Sequence, residues 1–168
     1  EVNVIKAVAK VESPRGGFYD DGHPTILFEP HIFSRYTAHR YDNSHPHISS
    51  RRWNKKLYGN ARQQLDEAAK LDRAAALMAC SWGRFQVMGF NYKLVGFDTL
   101  QKFINAMFRS EDAQFDAFVN YVLARSLVDE LQRKDWAGFA KGYNGKNYKG
   151  DPATIEDDYD WKLSRAYQ

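Results

Sequence analysis

The sequence predicts a mostly α-helical (α+β) domain, and two observations carry this prediction. Most of the 168 residues fall into segments whose apolar positions recur at helical spacing. The one clear hairpin signal is an Asp-Gly pair between aromatic and β-branched residues, and it lies near the N-terminus within residues 17–29. Many helices with one small hairpin indicate an α+β architecture.

The first predicted helix covers residues 1–13 and ends before Pro14. Its apolar positions include Val4 and Val8, and Glu12 falls on the same face one turn after Val8. A carboxylate at the buried end of a hydrophobic helix is costly unless it is paired or functional. Desolvation favours its protonated form, which is what a general acid needs near neutral pH. The alternative interpretation is a structural carboxylate bound to Arg15 or to backbone amides.

After the predicted hairpin, Pro30 is expected to open a short helix that runs to Tyr36. Residues 37–56 are polar and predict a long surface loop. The remainder is predicted to be helical, with a capping box at Asp98 and Gln101. The other predicted helices are 61–71 and 73–80 as one long or broken helix, one capped by Ser110, then 126–133, 135–141 and a last one capped by Thr154.

Composition limits the class of protein. A chain of this length with 43% hydrophobic residues suits one compact domain. No apolar run approaches the roughly 18 residues of a membrane-spanning helix, and no signal peptide is evident. Because a helix begins at the first residues, we expect residues 1–168 to be a single domain excised from a longer chain. The single cysteine, Cys80, lies in an apolar run and is expected to be buried and inert.

The chain is mildly basic, with a net charge of +3 and a pI of about 8.9. Such a charge suits anionic cell-envelope polymers and also nucleic acid. The basic residues are scattered and no nucleic-acid motif accompanies them, so we expect a solvated surface. The histidines of residues 39–47 do not match a metal-ligand spacing, and we expect neither a metal site nor a cofactor.

Three short motifs then follow one another along the chain. They are Glu-Ser at Glu12, Gly-x-x-Gln from Gly83 to Gln86, and Tyr-Asn-Gly from Tyr143. In this order they resemble the signatures of lysozyme-like muramidases and lytic transglycosylases. The chain is most similar to the phage-type N-acetylmuramidase domain of modular endolysins, over almost its whole length. This resemblance implies a lysozyme-like fold in which a small β-hairpin near the N-terminus walls one side of the catalytic cleft.

The resemblance also implies glycoside hydrolysis, which needs an acid and a second, anionic or nucleophilic group across the sugar. Glu12 is the candidate acid. Asp21 matches the Glu-x8-Asp spacing of phage-type lysozymes, although Leu27 replaces the threonine usual six residues later. Glu29 ends the outgoing strand of the predicted hairpin, a stiffer place than the turn that carries Asp21. We therefore rank Glu29 first and Asp21 second as partner to Glu12.

The second and third motifs supply candidate substrate-binding residues. In the families that the chain resembles, the region of Gln86 lines the cleft and contacts sugar acetamido groups or water. Ser81 lies in the same stretch. The tyrosine matching Tyr143 lies near the catalytic glutamate, and the asparagine matching Asn144 braces the cleft floor. A helix end or a turn without function is the alternative interpretation of these residues.

The implied function is hydrolysis of the β-1,4 bond between N-acetylmuramic acid and N-acetylglucosamine in peptidoglycan, which causes bacterial lysis. A lytic transglycosylase cleaves the same bond with one glutamate and yields 1,6-anhydro products; the candidates Asp21 and Glu29 favour hydrolysis. A non-catalytic wall-binding module or a basic nucleic-acid binder is the alternative from another class. Such a protein has no use for a glutamate on an apolar helix face.

The expected partner is the glycan strand of bacterial peptidoglycan, without nucleic acid or membrane insertion, and the expected state is a monomer. The absence of an evident signal peptide or membrane span suggests a phage-encoded protein that is made in the host cytoplasm. It would act on the cell wall from the periplasmic side.

Overall fold

The computed structural model describes residues 1–145, 148–149 and 158–168. Within them it is mostly helical and has one small antiparallel sheet, which confirms the predicted fold class. The elements are α1 Val2–Glu12, β1 Ile26–Phe28, α2 Pro30–Tyr36, α3 Ala61–Leu71, α4 Arg73–Met78, β2 Cys80–Trp82, β3 Val87–Met88, α5 Leu100–Arg109, α6 Glu111–Ala124, α7 Val128–Arg133, α8 Trp136–Asn144 and α9 Tyr159–Tyr167, with short 3-10 helices at Lys55–Leu57 and Gly89–Asn91.

The predicted hairpin at residues 17–29 forms only in part. Its turn is closed by a bond of 2.8 Å from the amide of Tyr19 to the carbonyl of His23, beside a single β-bridge. The outgoing strand β1 pairs instead with β2, and β2 pairs with β3, both antiparallel. Ile26 and Phe28 are buried, so β1 must be covered, but its partner lies more than 50 residues away in the chain.

The helix predicted over residues 73–80 is wrong at its end. α4 stops at Met78, and Cys80 already belongs to β2. An apolar run as short as this one does not distinguish a buried strand from a buried helix by periodicity. Pairing with β1 decides the matter, because it gives the backbone of Cys80–Trp82 its hydrogen-bond partners.

Side-chain caps set several helix starts. Asp72 divides α3 from α4 and accepts a bond of 3.0 Å from the amide of Ala75, and Ser110 caps α6 as predicted. The predicted cap at Asp98 is wrong by one residue. Thr99 accepts from the amide of Lys102, whereas the Asp98 carboxylate pairs with the Lys102 ammonium at 2.7 Å. The predicted cap Thr154 lies outside the described residues.

A buried glutamine joins three parts of the core. Gln114 is only 1% exposed, among fully buried aromatic side chains such as Phe118. Its Nε2 donates to the carbonyls of Met107 and Gly17, and its Oε1 accepts a bond of 2.7 Å from the amide of Arg84. One side chain of α6 thereby fixes the position of the segment after α1 relative to the turn between β2 and β3.

The loop predicted over residues 37–56 is largely without regular structure, but it is anchored. The Asp42 carboxylate accepts hydrogen bonds from Ser34 at 2.7 Å and Ser49 at 2.6 Å, and the pKa of Asp42 is lowered by these bonds despite the opposing effect of burial.

No helix in the described part of the chain has the length and apolar character to cross a membrane.

Candidate active site

A cleft of about 220 Å³ lies between the end of α1, the sheet and the end of α8. It brings together six of the seven predicted site residues, while Asp21 does not line it. The lining residues are Glu12, Leu27, Glu29, Ser81, Gln86, Val87, Met88, Asn91, Tyr121, Tyr143 and Asn144.

Glu12 is the last residue of α1 and is half-buried, as its position on the apolar face predicts. Burial raises its pKa from 4.5 to about 7, because desolvation disfavours the carboxylate. The hydroxyl of Tyr159 donates a hydrogen bond to Glu12 Oε1, which lowers the pKa in part. This tyrosine, and not Arg15, is the partner of the carboxyl group.

Tyr159 reaches Glu12 because α9 packs along α1. Tyr159 begins α9 and contacts the end of α1, whereas Tyr167 at the other end of α9 donates a bond of 2.8 Å to Glu1. The two helices therefore run antiparallel. The sequence analysis missed this contact, because the Tyr159 hydroxyl bonds a residue 147 positions away in the chain.

Tyr159→Phe is expected to move the basic limb of the pH profile to higher pH. The sequence predicts that Glu12 is a general acid, and a general acid must be protonated, so kcat/KM of the native protein should fall as pH rises through about 7. The Tyr159 hydroxyl favours the ionised form, and its removal raises the pKa of Glu12 further. The measurement is kcat/KM from pH 5 to 9 on soluble glycan. The control Tyr167→Phe removes the matched hydroxyl at the far end of α9 and should leave the basic limb of the pH profile where it is. A basic limb that does not move in Tyr159→Phe would contradict the assignment of that limb to Glu12.

Glu29 occupies the junction between β1 and α2, where it is the N-terminal cap residue of α2. Its side chain is 17% exposed and accepts a hydrogen bond from the Tyr58 hydroxyl, and His31 Nδ1 lies 3.3 Å from Oε2. Burial and the neighbouring carboxylate raise the pKa of Tyr58 well above its ordinary value. Sequence reasoning missed Tyr58, which stands in the polar segment that precedes α3.

Asp21 stands at the tip of the hairpin turn, outside the cleft. It forms an ion pair with Arg62 of α3, and His23 Nδ1 lies 3.2 Å from its carboxylate. The hydrogen bond from Arg62 lowers the pKa of Asp21 to about 2. Of the two predicted second carboxylates, Glu29 therefore lines the cleft and Asp21 does not.

Gln86 is held by its own turn. Its backbone has a positive φ of 50°, and its Nε2 donates to the carbonyls of Gly83 at 2.9 Å and Thr25 at 3.4 Å. Its Oε1 accepts from the Ser81 hydroxyl at 2.5 Å. Both amide hydrogens are therefore engaged, and one lone pair of Oε1 is left for a ligand. Gly83 must be glycine, because φ is +72° and a Cβ there would collide with the side chain of Gln114.

Tyr143 and Asn144 end α8 at the cleft. The Tyr143 hydroxyl donates a bond of 2.6 Å to the carbonyl of Phe85, and its ring stacks on Phe139 with centroids 5.1 Å apart. Burial and the nearby Glu12 charge raise the pKa of Tyr143 well above its ordinary value. Tyr143 thus joins α8 to the β2–β3 turn, whereas Asn144 is exposed and available to a ligand.

The histidines of residues 39–47 form hydrogen bonds within residues 34–47 and to α3. His39 Nδ1 lies 2.8 Å from the Ser34 hydroxyl, and His47 Nε2 lies 2.7 Å from Glu67. No three His, Cys, Asp or Glu side chains in the described part of the chain are placed to hold a metal ion together.

A helical domain whose small sheet walls a cleft with one proton-bearing carboxyl group and a second carboxylate has the arrangement of a lysozyme-like glycosidase. The chain belongs to the N-acetylmuramidase family, whose sequence profile matches residues 1–168.

The fold is also similar to the crystal structure of Burkholderia AP3 phage endolysin. The TM-score is 0.82 and the sequences are 38% identical over 99% of this chain. The match spans 64% of that endolysin. No curated protein matches the chain.

Proposed function

We propose that this protein hydrolyses the β-1,4 bond between N-acetylmuramic acid and N-acetylglucosamine in peptidoglycan and thereby lyses bacteria. The observation that carries the proposal is Glu12, a half-buried carboxyl group with a pKa of about 7 in the cleft of an N-acetylmuramidase-family chain. Near neutral pH, such a group holds a proton for much of the time and can donate it.

In this mechanism, protonated Glu12 donates its proton to the glycosidic oxygen as the bond to the anomeric carbon breaks. The sugar then develops positive charge, which the Glu29 carboxylate stabilises from the same cleft. Glu29 attacks the anomeric carbon if the two carboxyl groups lie roughly 5–5.5 Å apart, and it activates a water molecule if they lie roughly 6.5–9.5 Å apart. In the first case water displaces Glu29 from the sugar and gives its proton to Glu12; in the second Glu29 takes the proton of the attacking water, and Glu12 regains a proton from solvent.

Four further residues would form the substrate-binding site, two by contacting the sugars and two by positioning their neighbours. Asn144 and the free lone pair of Gln86 Oε1 suit the amide and hydroxyl groups of the sugars. Ser81 orients Gln86, and Tyr143 fixes the end of α8 beside Glu12. We further propose a monomer, consisting of one catalytic domain, that acts on the wall from its periplasmic side without nucleic acid or membrane insertion.

The test is the chemistry of the new chain ends. Hydrolysis of purified peptidoglycan should release muramic acid with a free reducing end, detectable by borohydride reduction and mass spectrometry. The order of the three motifs favours a lytic transglycosylase as the second candidate, and that enzyme would release 1,6-anhydro ends that borohydride does not reduce. If only anhydro products appear, the protein is a lytic transglycosylase and the proposed hydrolysis is wrong. If no new chain ends appear, both proposed reactions are refuted.

A further inference from the structure

The cleft opens into a second, larger groove of about 600 Å³. Six residues line both of them, so the groove is a direct extension of the cleft. They are Glu29, Met88, Asn91, Tyr121, Tyr143 and Asn144. A glycan whose bond lies beside Glu12 would therefore place its substituents next to this groove.

The part of the groove beyond the shared residues is basic. Arg125 follows α6 and Lys141 belongs to α8, and both line the groove together with His31. Apart from the shared Glu29, no carboxylate of a described residue lines it. Neighbouring positive charges on the wall of a concave surface attract anionic groups of a ligand.

Arg125 is held in place without neutralisation of its charge. Its guanidinium lies over the Tyr121 ring, 5.6 Å from the centroid, and its Nε is 3.3 Å from the Tyr121 hydroxyl. Among the residues whose structure is described, neither Arg125 nor Lys141 forms an ion pair. Because Tyr121 also lines the cleft, Arg125 stands at the boundary between the cleft and the groove, with its terminal nitrogens available.

We propose that this groove binds the anionic peptide stem that peptidoglycan carries on its muramic acid residues, with Arg125 and Lys141 contacting stem carboxylates. The inference rests on the proposed function, because the stem is attached to the sugar whose bond is cleaved. A stem presents free carboxylates beside small apolar side chains. The groove presents two cations beside apolar surface from Ile32 and Phe90.

The test compares two soluble substrates: glycan strands with intact stems, and the same strands stripped by an amidase. The readout is the preference, which is the ratio of the two kcat/KM values. The double variant Arg125→Gln, Lys141→Gln should lower this preference roughly three- to tenfold, mainly through KM on stem-bearing strands. Since Arg125 packs on Tyr121, the single variant Lys141→Gln at an exposed site keeps the test valid if the double variant melts early.

The matched control is Arg109→Gln, Arg133→Gln. It removes the same charge from exposed helix ends that line neither the cleft nor the groove, and it should keep the native preference. An equal fall in the control would assign the effect to overall charge and overturn the proposal. An unchanged preference in the groove variant would also overturn it. A raised preference in the groove variant would overturn it as well, because it would show that the groove binds the lactyl carboxylate that the amidase exposes.

Direct titration of a stem-bearing disaccharide by calorimetry separates this proposal from the function on which it rests. If the native protein cleaves neither substrate yet binds this ligand in a manner that depends on Lys141, the proposed hydrolysis fails and the stem site stands. If it cleaves both substrates with equal efficiency and binds the ligand no better than the variant does, the stem site fails and the hydrolysis stands.

Discussion

Glu12→Gln is expected to reduce peptidoglycan hydrolysis by roughly 10²–10⁴-fold, the loss typical of removing a general acid. Glutamine keeps the shape of the side chain and can still accept the hydrogen bond from Tyr159. The cleft should therefore keep its geometry while the variant lacks the acidic proton of the carboxyl group. The measurement is the rate of reducing-end release, with pelleting on purified walls as a separate measure of binding.

The same variant should be more stable than the native protein at high pH. The pKa of Glu12 is about 7 in the folded state against an ordinary 4.5, so the native protein loses stability progressively as pH rises from about 4.5 to about 7, and the loss is complete above about 7. Because the side chain is only half-buried, we expect a gain of about 1–3 kcal/mol at pH 8 relative to pH 4. Urea titrations at the two pH values measure this difference.

Two outcomes would contradict the assignment. A folded Glu12→Gln protein with near-native hydrolysis would show that another group donates the proton. Equal binding to walls together with an unchanged, very low rate in both proteins would indicate a wall-binding module and not an enzyme. Loss of hydrolysis with retained binding is the result that the structure predicts.

Glu29→Gln is expected to have the second largest effect, a loss of roughly 10²–10³-fold in kcat. It removes negative charge from the site where the sugar becomes positive, and groups that stabilise developing charge contribute on this order. The amide can still accept from Tyr58, so the local fold should persist. Circular dichroism and a melting curve would check this, beside kcat on soluble glycan.

Asp21→Asn is the matched comparison, because it neutralises the other carboxylate that the sequence offers as partner to Glu12. Asp21 is paired with Arg62 outside the cleft, and we expect its variant to keep kcat within about twofold. Loss of activity in Asp21→Asn with normal rates in Glu29→Gln would reverse the two roles. If both variants stay folded and fully active, a single-acid mechanism follows, and the transglycosylase reaction should replace hydrolysis.

Local sequence signals predicted the elements that deliver the two glutamates. The apolar period of α1 and the proline at the start of α2 were sufficient, because helix ends and caps depend on residues within one turn. The same locality explains the correct Ser110 cap. It also explains why the error at Asp98 is only one residue, since two adjacent polar side chains compete for one cap position.

Local sequence signals could not predict the contacts between residues that lie far apart in the chain. Nothing near Ile26–Phe28 in the chain indicates that Cys80–Trp82 is its neighbouring strand, and nothing near Glu12 indicates the hydroxyl of Tyr159. The alternation of a three-residue strand is too short to distinguish it from a buried helical turn. A buried glutamine such as Gln114 gives no sign in the sequence of which backbone groups it will satisfy.

The sequence by itself determined the helical class of this protein, its family through three ordered motifs, and Glu12 as the carboxyl group on an apolar helix face. Only the tertiary structure decided what surrounds that group. Burial raises the pKa of Glu12 while the Tyr159 hydroxyl of α9 lowers it in part, and the sheet brings Glu29 to the cleft while Asp21 pairs with Arg62 outside it. The physical reason is that a helix depends on neighbours within one turn, whereas desolvation and ion pairing depend on groups that only folding brings together.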